Sequence, residues 1–259
     1  MAPSRALAEI PVVILCGGRG TRLQERTHAI PKALVEIGSM PILWHVVRIY
    51  AAQGFRRFRL LTGYLGDQVA EFAARADWPE PVEIESIDTG LDTPTGGRLA
   101  AVADQLRAEG GGGTFCCTYA DGVADVDLPA LVGFHAEHGG AGTLTVVRPR
   151  SQFGITRFDP DGMVTRFEEK PRLADWVNGG FFCFETEFLD LLEPTSVLER
   201  DPLRRLAAAR GLHAYRHTGF WDCMDTYKDA VVLDDLWRGG GAPWAVWDRM
   251  ASPGGGDGG

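Results

Sequence analysis

Several features of the chain gather residue types suited to handling phosphate. The first is Gly17-Gly18-Arg19-Gly20-Thr21-Arg22. Glycines let backbone N–H groups approach a polyphosphate closely, and arginine offers forked donors that match phosphate oxygens. Pro31-Lys32 follows and adds a third cation. The loop fits neither a Walker A motif nor Gly-x-Gly-x-x-Gly. By itself it reads equally well as a tight turn with exposed arginines. The second feature is Asp121-Gly122, just past the strand-like run 114–119. A carboxylate at a strand end, beside a glycine that clears space, suits magnesium, which takes few protein ligands and several phosphate oxygens. A plain turn aspartate is the alternative. The third is Phe220-Trp221-Asp222-Cys223-Met224-Asp225-Thr226, where Asp225 is either the N-cap of a following helix or a second metal ligand.

Two further clusters mix charge with glycine. Glu168-Glu169-Lys170-Pro171 ends a predicted strand, with Lys170 at its tip, and reads as function or as a solvated turn. Asn178-Gly179-Gly180 precedes an apolar strand, and an asparagine can both donate to and accept from sugar hydroxyls. Asp125 reads as a turn residue and Asp127 as an N-cap before Leu128, and their spacing from Asp121 does not fit a calcium loop. His135 and His138 share a helix face, lack a third ligand, and are expected to face solvent. His213 and His217 flank Tyr215 in a structural role. Trp237, Trp244 and Trp247 are expected to dock the tail or make a subunit contact.

The elements that must position these residues are legible in the pattern. The unbroken apolar run 11–16 predicts a strand buried on both faces. A helix follows the Pro41 turn, with Ile42, Val46 and Tyr50 on one face and Gly54 beyond its end. Strand 57–62, helix 66–75, strand 82–87, helix 97–108 and strand 114–119 complete a regular alternation. That alternation predicts an α/β fold with a doubly wound, mostly parallel, Rossmann-like sheet, in which ligands bind at the carboxyl ends of the strands. The rule puts the 17–22 loop and Asp121 on one edge. The second half predicts strands at 142–147, 154–158, 163–169, 179–185 and 213–217, with a hairpin turn at Asp159-Pro160-Asp161-Gly162 and a helix over 226–237. With no repeat or clear linker, one domain over 1–250 is expected. Its nucleotide half would span about 10–125 and its smaller β-rich half about 126–250, with a disordered glycine-rich tail at 251–259.

Composition narrows the function classes. The 259 residues carry a formal net charge of -9, which argues against sequence-independent nucleic-acid binding. The five cysteines are odd in number and without Cys-x-x-Cys spacing, so reduced core thiols are expected rather than zinc or disulfides. No apolar stretch is long enough to span a membrane and no signal peptide is evident, which places the protein in the cytoplasm as an expectation.

Taken together, the motifs resemble the signature of the sugar-1-phosphate nucleotidyltransferases, and within them the branch that transfers a cytidylyl group to glucose 1-phosphate. The matching stretches run in order over nearly the whole chain. They include the 17–22 loop, Pro31-Lys32, Pro41-Ile42-Leu43-Trp44-His45, Thr95-Gly96-Gly97-Arg98-Leu99, Asp121-Gly122-Val123-Ala124-Asp125, Glu169-Lys170-Pro171, Asn178-Gly179-Gly180-Phe181-Phe182, Gly219-Phe220-Trp221 with Met224-Asp225-Thr226, and Ala242-Pro243-Trp244. The resemblance implies an NTP, CTP in that branch, and a sugar 1-phosphate as substrates. It implies Mg2+ shared by Asp121 and Asp225, and an assembly of identical subunits. Leu15, Gly17, Gly18, Arg19, Gly20, Thr21, Thr93, Gly97, Arg98 and Gly122 would surround the nucleotide. Arg22, Lys32 and Lys170 would act on the phosphates, while Gly154, Glu169, Asn178 and Gly179 would face the sugar. Three departures stand out: Ile30 where a lysine is expected, Ala120 in place of a glycine, and a short segment from Phe72 to Asp88. A non-catalytic sugar-nucleotide sensor on the same fold is the rival from another class, and a glycosyltransferase using Asp125-Val126-Asp127 is a weaker one.

Overall fold

The computed structural model describes residues 6–20, 23, 29–109 and 113–250. Thr21, Arg22 and the 251–259 tail lie outside them. Seven strands form the central sheet: β1 Pro11–Leu15, β2 Arg57–Thr62, β3 Glu83–Asp88, β4 Thr114–Tyr119, β5 Gly142–Val147, β6 Val177–Glu185 and β7 Leu212–Arg216. Their order is β7-β5-β6-β4-β1-β2-β3. β1 pairs in parallel with β2 and β4, β2 with β3, and β5 with β7. β6 runs antiparallel to both β4 and β5. The mostly parallel α/β sheet expected from the alternation is therefore present. The chain steps outward from β1 through β2 to β3, then returns to the other side of β1 as β4. The β1/β4 boundary is thus the topological switch point, where a crevice opens beyond the strand ends.

β1 explains why the central strands read as continuous apolar runs. Val12 and Ile14 pack into one core and Val13 and Leu15 into another on the opposite face, all of them buried. Helices cover both faces. Helix α1 Ile42–Ala52 and helix α2 Gly66–Arg75 pack into the first core, while α3 Thr95–Ala101 and α4 Ala103–Ala108 pack into the second. The single helix expected over 97–108 is broken at Val102, whose φ of -110° and ψ of 11° interrupt the helix while its side chain stays buried. Asp127 caps helix α5 Leu128–His138, accepting from the Ala130 N–H. Gly139 ends that helix with φ +64°, a conformation that suits glycine.

α1 differs from expectation in an instructive way. Its periodicity predicts one apolar face, yet every residue from Ile42 to Ala51 is buried. The C-terminal segment covers the other face: Trp237, Trp244 and Trp247 gather around Trp44 and His45. Arg48 lies against the rings of Trp44 and Trp247, with Glu80 3.1 Å from its Nε. The tryptophans thus dock the C-terminal segment onto the fold.

This cluster carries a pH prediction. Trp244 donates to His45 Nδ1 at 3.3 Å, so Nε2 must bear the proton, 3.0 Å from the Ile37 carbonyl. Burial pushes the His45 pKa down to about 4. The unfolded histidine titrates near ~6.5, so in acid the unfolded chain binds a proton that the folded chain refuses. The contribution is complete above ~6.5 and is lost as pH falls towards 4, amounting to roughly 3 kcal/mol. Thermal unfolding followed from pH 7 to 4.5 should fall more steeply for the native chain than for His45→Gln. Equal slopes would clear His45 of any part in acid sensitivity.

Candidate active site

Two loops, one short ribbon and one helical turn assemble the site. The glycine loop leaves β1 at Cys16, whose N–H still bonds to Leu61 in β2. Asp121 follows β4. The strand Trp221–Cys223 pairs antiparallel with Gly122–Ala124, placing Cys223 opposite Gly122, and the Met224 N–H bonds to the Asp121 carbonyl at 2.9 Å. That ribbon carries Asp225 to Asp121. From the far side comes the single helical turn Lys32–Leu34, set by Pro31. The Lys32 ammonium lies between the two carboxylates, 2.5 Å from Asp121 Oδ2 and 2.9 Å from Asp225 Oδ1. Burial alone would lower the pKa of Lys32, but the two aspartates outweigh it and hold the pKa above the ordinary lysine value.

The alternatives for Asp225 are separated here. Thr226 is the helix cap: its hydroxyl accepts from the Asp229 N–H, and the Asp229 carboxylate accepts from the Thr226 N–H, which closes a capping box on helix α7, counted after α6 Asp201–Ala208, over Tyr227–Arg238. Asp225 is left to face Lys32. Asp125 is no simple turn residue either. Its Oδ1 accepts from the Phe220 N–H at 2.6 Å and lies 3.2 Å from His217 Nε2, anchoring the ribbon that delivers Asp225.

These groups line a cleft with a volume of about 440 Å3. Leu15, Gly17, Gly18, Gly20, Lys32, Thr93, Arg98, Asp121 and Asp225 all border it. Gly122 is buried in the strand beside Asp121. Gly18 has open space where a side chain would stand, so its backbone is accessible. Arg19 is exposed and outside the lining, 2.9 Å from Asp92 and over the Tyr64 ring.

Gly17 is glycine for a reason the sequence does not reveal. A Cβ there would fall 2.1 Å from the Arg98 guanidinium carbon. Arg98 is buried and donates to the carbonyls of Thr62 and Gly90, to the Thr89 hydroxyl and to the Gly17 carbonyl, at 2.6, 2.9, 2.6 and 3.0 Å. It fastens the glycine loop to the end of β2. Gly97 likewise makes room for protein: a Cβ would fall 2.1 Å from the Pro194 carbonyl oxygen, and its N–H bonds to Ser196.

The sugar-side residues fall in two places. Asn178 and Gly179 sit at the start of β6; Asn178 Nδ2 faces the Tyr119 hydroxyl, and the Gly179 carbonyl accepts from Trp221 Nε1 at 2.7 Å. Gly154, Glu169 and Lys170 flank the exposed ribbon Ile155–Phe158 with Val164–Glu168, and, like Asn178 and Gly179, they are outside the lining of the cleft. A Cβ on Gly154 would meet the Phe167 ring and Glu169. Lys170 has φ +46°, a left-handed conformation uncommon for a side-chain-bearing residue, and its Nζ lies 3.8 Å from Glu169. Tyr119 and Thr95 border the cleft without having been singled out as site residues. The one signal for Tyr119 was its position two residues before Asp121.

The expectation that His135 and His138 face solvent is corrected. His135 is 2 % exposed, with Nδ1 2.8 Å from the Thr143 hydroxyl and Nε2 3.1 Å from Glu185. His138 is half-buried and stacks on His213. β5 and β7 cover that face of α5, which the helical period could not foretell. All four buried cysteines and the half-buried Cys223 are free thiols, as expected.

Comparison with known proteins places the chain. Residues 11–221 match the model of a family described as Nucleotidyl transferase. A probable glucose-1-phosphate cytidylyltransferase of Bacillus subtilis is 38 % identical over 91 % of this chain and 99 % of its own length. The glucose-1-phosphate cytidylyltransferase of Salmonella typhi is 39 % identical with the same coverage. Among solved structures, HddC from Yersinia pseudotuberculosis superposes with a TM-score of 0.67 over 88 % of this chain and 99 % of that one, at 20 % identity, a likeness of fold.

Proposed function

The chain belongs to the nucleotidyl transferase family, and we propose that it transfers the cytidylyl group of CTP to glucose 1-phosphate, forming CDP-glucose and pyrophosphate. The relatives support a sugar-1-phosphate nucleotidyltransferase. The observation that carries the reading is the convergence of Asp121, Asp225 and Lys32 in one cleft at the β1/β4 switch point. A non-catalytic sensor would need a cleft for the ligand but not two carboxylates closed on one ammonium.

In this reading a phosphate oxygen of the sugar phosphate attacks the α-phosphorus in line. The bond to the β-phosphate oxygen breaks, and pyrophosphate leaves with its electron pair. The attacking phosphate is ionised at neutral pH, so no protein nucleophile or base is required. The protein's part is positioning and charge compensation. The open backbone at Gly18 and the neighbouring loop amides face the triphosphate, and Thr93 borders its nucleoside end. Lys32 neutralises phosphate charge, Asn178 and Gly179 meet the sugar, and Arg22 and Lys170 are assigned to the phosphates. Asp121 and Asp225 fit Mg2+: two hard carboxylates make a scant shell by themselves, and the ammonium already between them marks the spot as one for a cation. Bound there with the nucleotide, Mg2+ would offset charge on the phosphate oxygens.

The test is pyrophosphate release, crossing CTP, UTP, dTTP, ATP and GTP against glucose 1-phosphate with and without magnesium. Release with CTP alone, dependent on magnesium, is expected. Release with another nucleotide would keep the chemistry and move the chain to a sister branch, and silence with all of them would favour the sensor.

The exposed ribbon suggests the expected assembly. Phe158, Met163 and Phe167 are each more than 60 % exposed, and Phe153 beside them is 75 % exposed. A two-stranded ribbon is marginal alone, and monomers seldom display so large an apolar patch. We assign this patch to contact with a second copy of the chain. Light scattering should give a multiple of the 28.2 kDa chain mass, and Phe167→Asp should reduce it. A native protein that scatters as a monomer would sink the assignment. No described helix is long and apolar enough to cross a membrane, and we place the enzyme in the cytoplasm with its nucleotide substrate.

A further inference from the structure

A chain of four side chains runs from Asn178, at the start of β6, through Tyr119 and Glu199 to Thr95, and Tyr119 and Thr95 border the cleft. It starts at Asn178, where the pairing of β6 with β5 shifts register and Gly180 turns with φ +80°. The Tyr119 ring lies against Gly180, so closely that a Cβ there would fall 2.7 Å from it. The Tyr119 hydroxyl donates to Glu199 Oε1 at 2.5 Å and faces Asn178 Nδ2 at 3.5 Å. Glu199 Oε2 accepts from the Thr95 hydroxyl at 2.9 Å, and Thr95 Oγ1 accepts from the Leu198 N–H. Thr95 opens α3, the helix that carries Gly97 and Arg98.

The donors and acceptors can be ordered. A phenol has one hydrogen, and here it points at a carboxylate, which only accepts. Towards Asn178 the same oxygen can therefore only accept, so the amide must present its NH2 to Tyr119. The Gly180 N–H donates to Asn178 Oδ1 at 2.9 Å and demands the same orientation from the other side. Without Glu199, the phenolic hydrogen could turn towards Asn178 and the constraint from that side would be lost.

We infer that Tyr119 and Glu199 are positioning residues for the sugar 1-phosphate: Glu199 orients the Tyr119 hydroxyl, and the hydroxyl holds the Asn178 amide in the orientation that meets the sugar. The inference rests on the sugar-1-phosphate reading above. Both residues act through the Asn178 amide, so their effect falls on binding of the sugar phosphate.

KM for glucose 1-phosphate and KM for the nucleotide are measured separately in the native enzyme, Tyr119→Phe, Glu199→Ala, Glu199→Gln and the double variant Tyr119→Phe/Glu199→Ala. Tyr119→Phe keeps the ring against Gly180 and with it the fold. It should raise KM for the sugar phosphate about tenfold, the worth of one hydrogen bond, and leave KM for the nucleotide within about twofold. Glu199→Ala should match it, Glu199→Gln, which retains an acceptor, should restore most of the loss, and the double variant should be no worse for the sugar than Glu199→Ala. Unchanged sugar KM in Tyr119→Phe, equal rises in both KM values, or additive losses in the double variant would overturn the inference while leaving the enzyme reading intact. A native protein that neither turns over nor binds a sugar 1-phosphate by calorimetry would overturn both.

Discussion

Asp121→Asn should lower turnover by roughly a thousandfold and leave the fold nearly untouched. Removing a single preorganised electrostatic contact from an active site costs on the order of 10²–10³ in rate, and Asp121 is half of the only carboxylate pair closed on Lys32 among the described residues. The substitution keeps the shape and a carbonyl oxygen but removes the charge that both the ammonium and a divalent cation need. Its effect on stability should be small. The Asp121 side chain is 26 % exposed, and a partly solvated ion pair contributes at most about 1 kcal/mol after screening. The two measurements are kcat for pyrophosphate release at saturating substrates and the midpoint of urea unfolding. Activity should also demand more magnesium than in the native enzyme. Native turnover in Asp121→Asn would take this residue out of the mechanism and, with it, the metal assignment.

Arg98→Met should do the reverse, striking the fold first. Arg98 is 4 % exposed, and its guanidinium satisfies three carbonyls and a hydroxyl drawn from β2, the 89–90 turn and the glycine loop. An apolar side chain of similar length would leave buried acceptors without partners, each costing about 1–3 kcal/mol, so a loss of roughly 3–5 kcal/mol is expected in urea. Arg98→Lys should rescue little, because one ammonium cannot span acceptors arranged for a planar fork. Nucleotide affinity should fall as well, since Gly17 is tethered through this side chain. If Arg98→Met unfolds like the native chain and loses only nucleotide binding, the arginine is a ligand contact and not a clamp. The resemblance assigns Arg98 to the nucleotide, and its hydrogen bonds assign it to the loop. The urea midpoint tells the two roles apart.

The sequence determined the frame. The unbroken apolar run at 11–16 can only be satisfied by a strand covered on both faces, and the alternation of strand-like runs such as 114–119 with helical periods predicts a parallel sheet. From that follows the carboxyl-end edge, and so the meeting of the glycine loop with Asp121. These are local or nearest-neighbour properties, which pattern can carry. The tertiary structure decided what distant segments do to one another. Asp225 reads as a cap or a ligand until the 221–223 ribbon pairs with 122–124 and Thr226 takes the cap. His135 looks solvent-facing until β5 and β7 cover its helix face, and α1 looks amphipathic until the C-terminal tryptophans bury its outer side. Gly17 looks like a glycine made for phosphate until Arg98 arrives from eighty-one positions away. In each case the deciding partner is remote in sequence. A hydrogen bond or a packed ring depends on where the chain returns, and no local period records that.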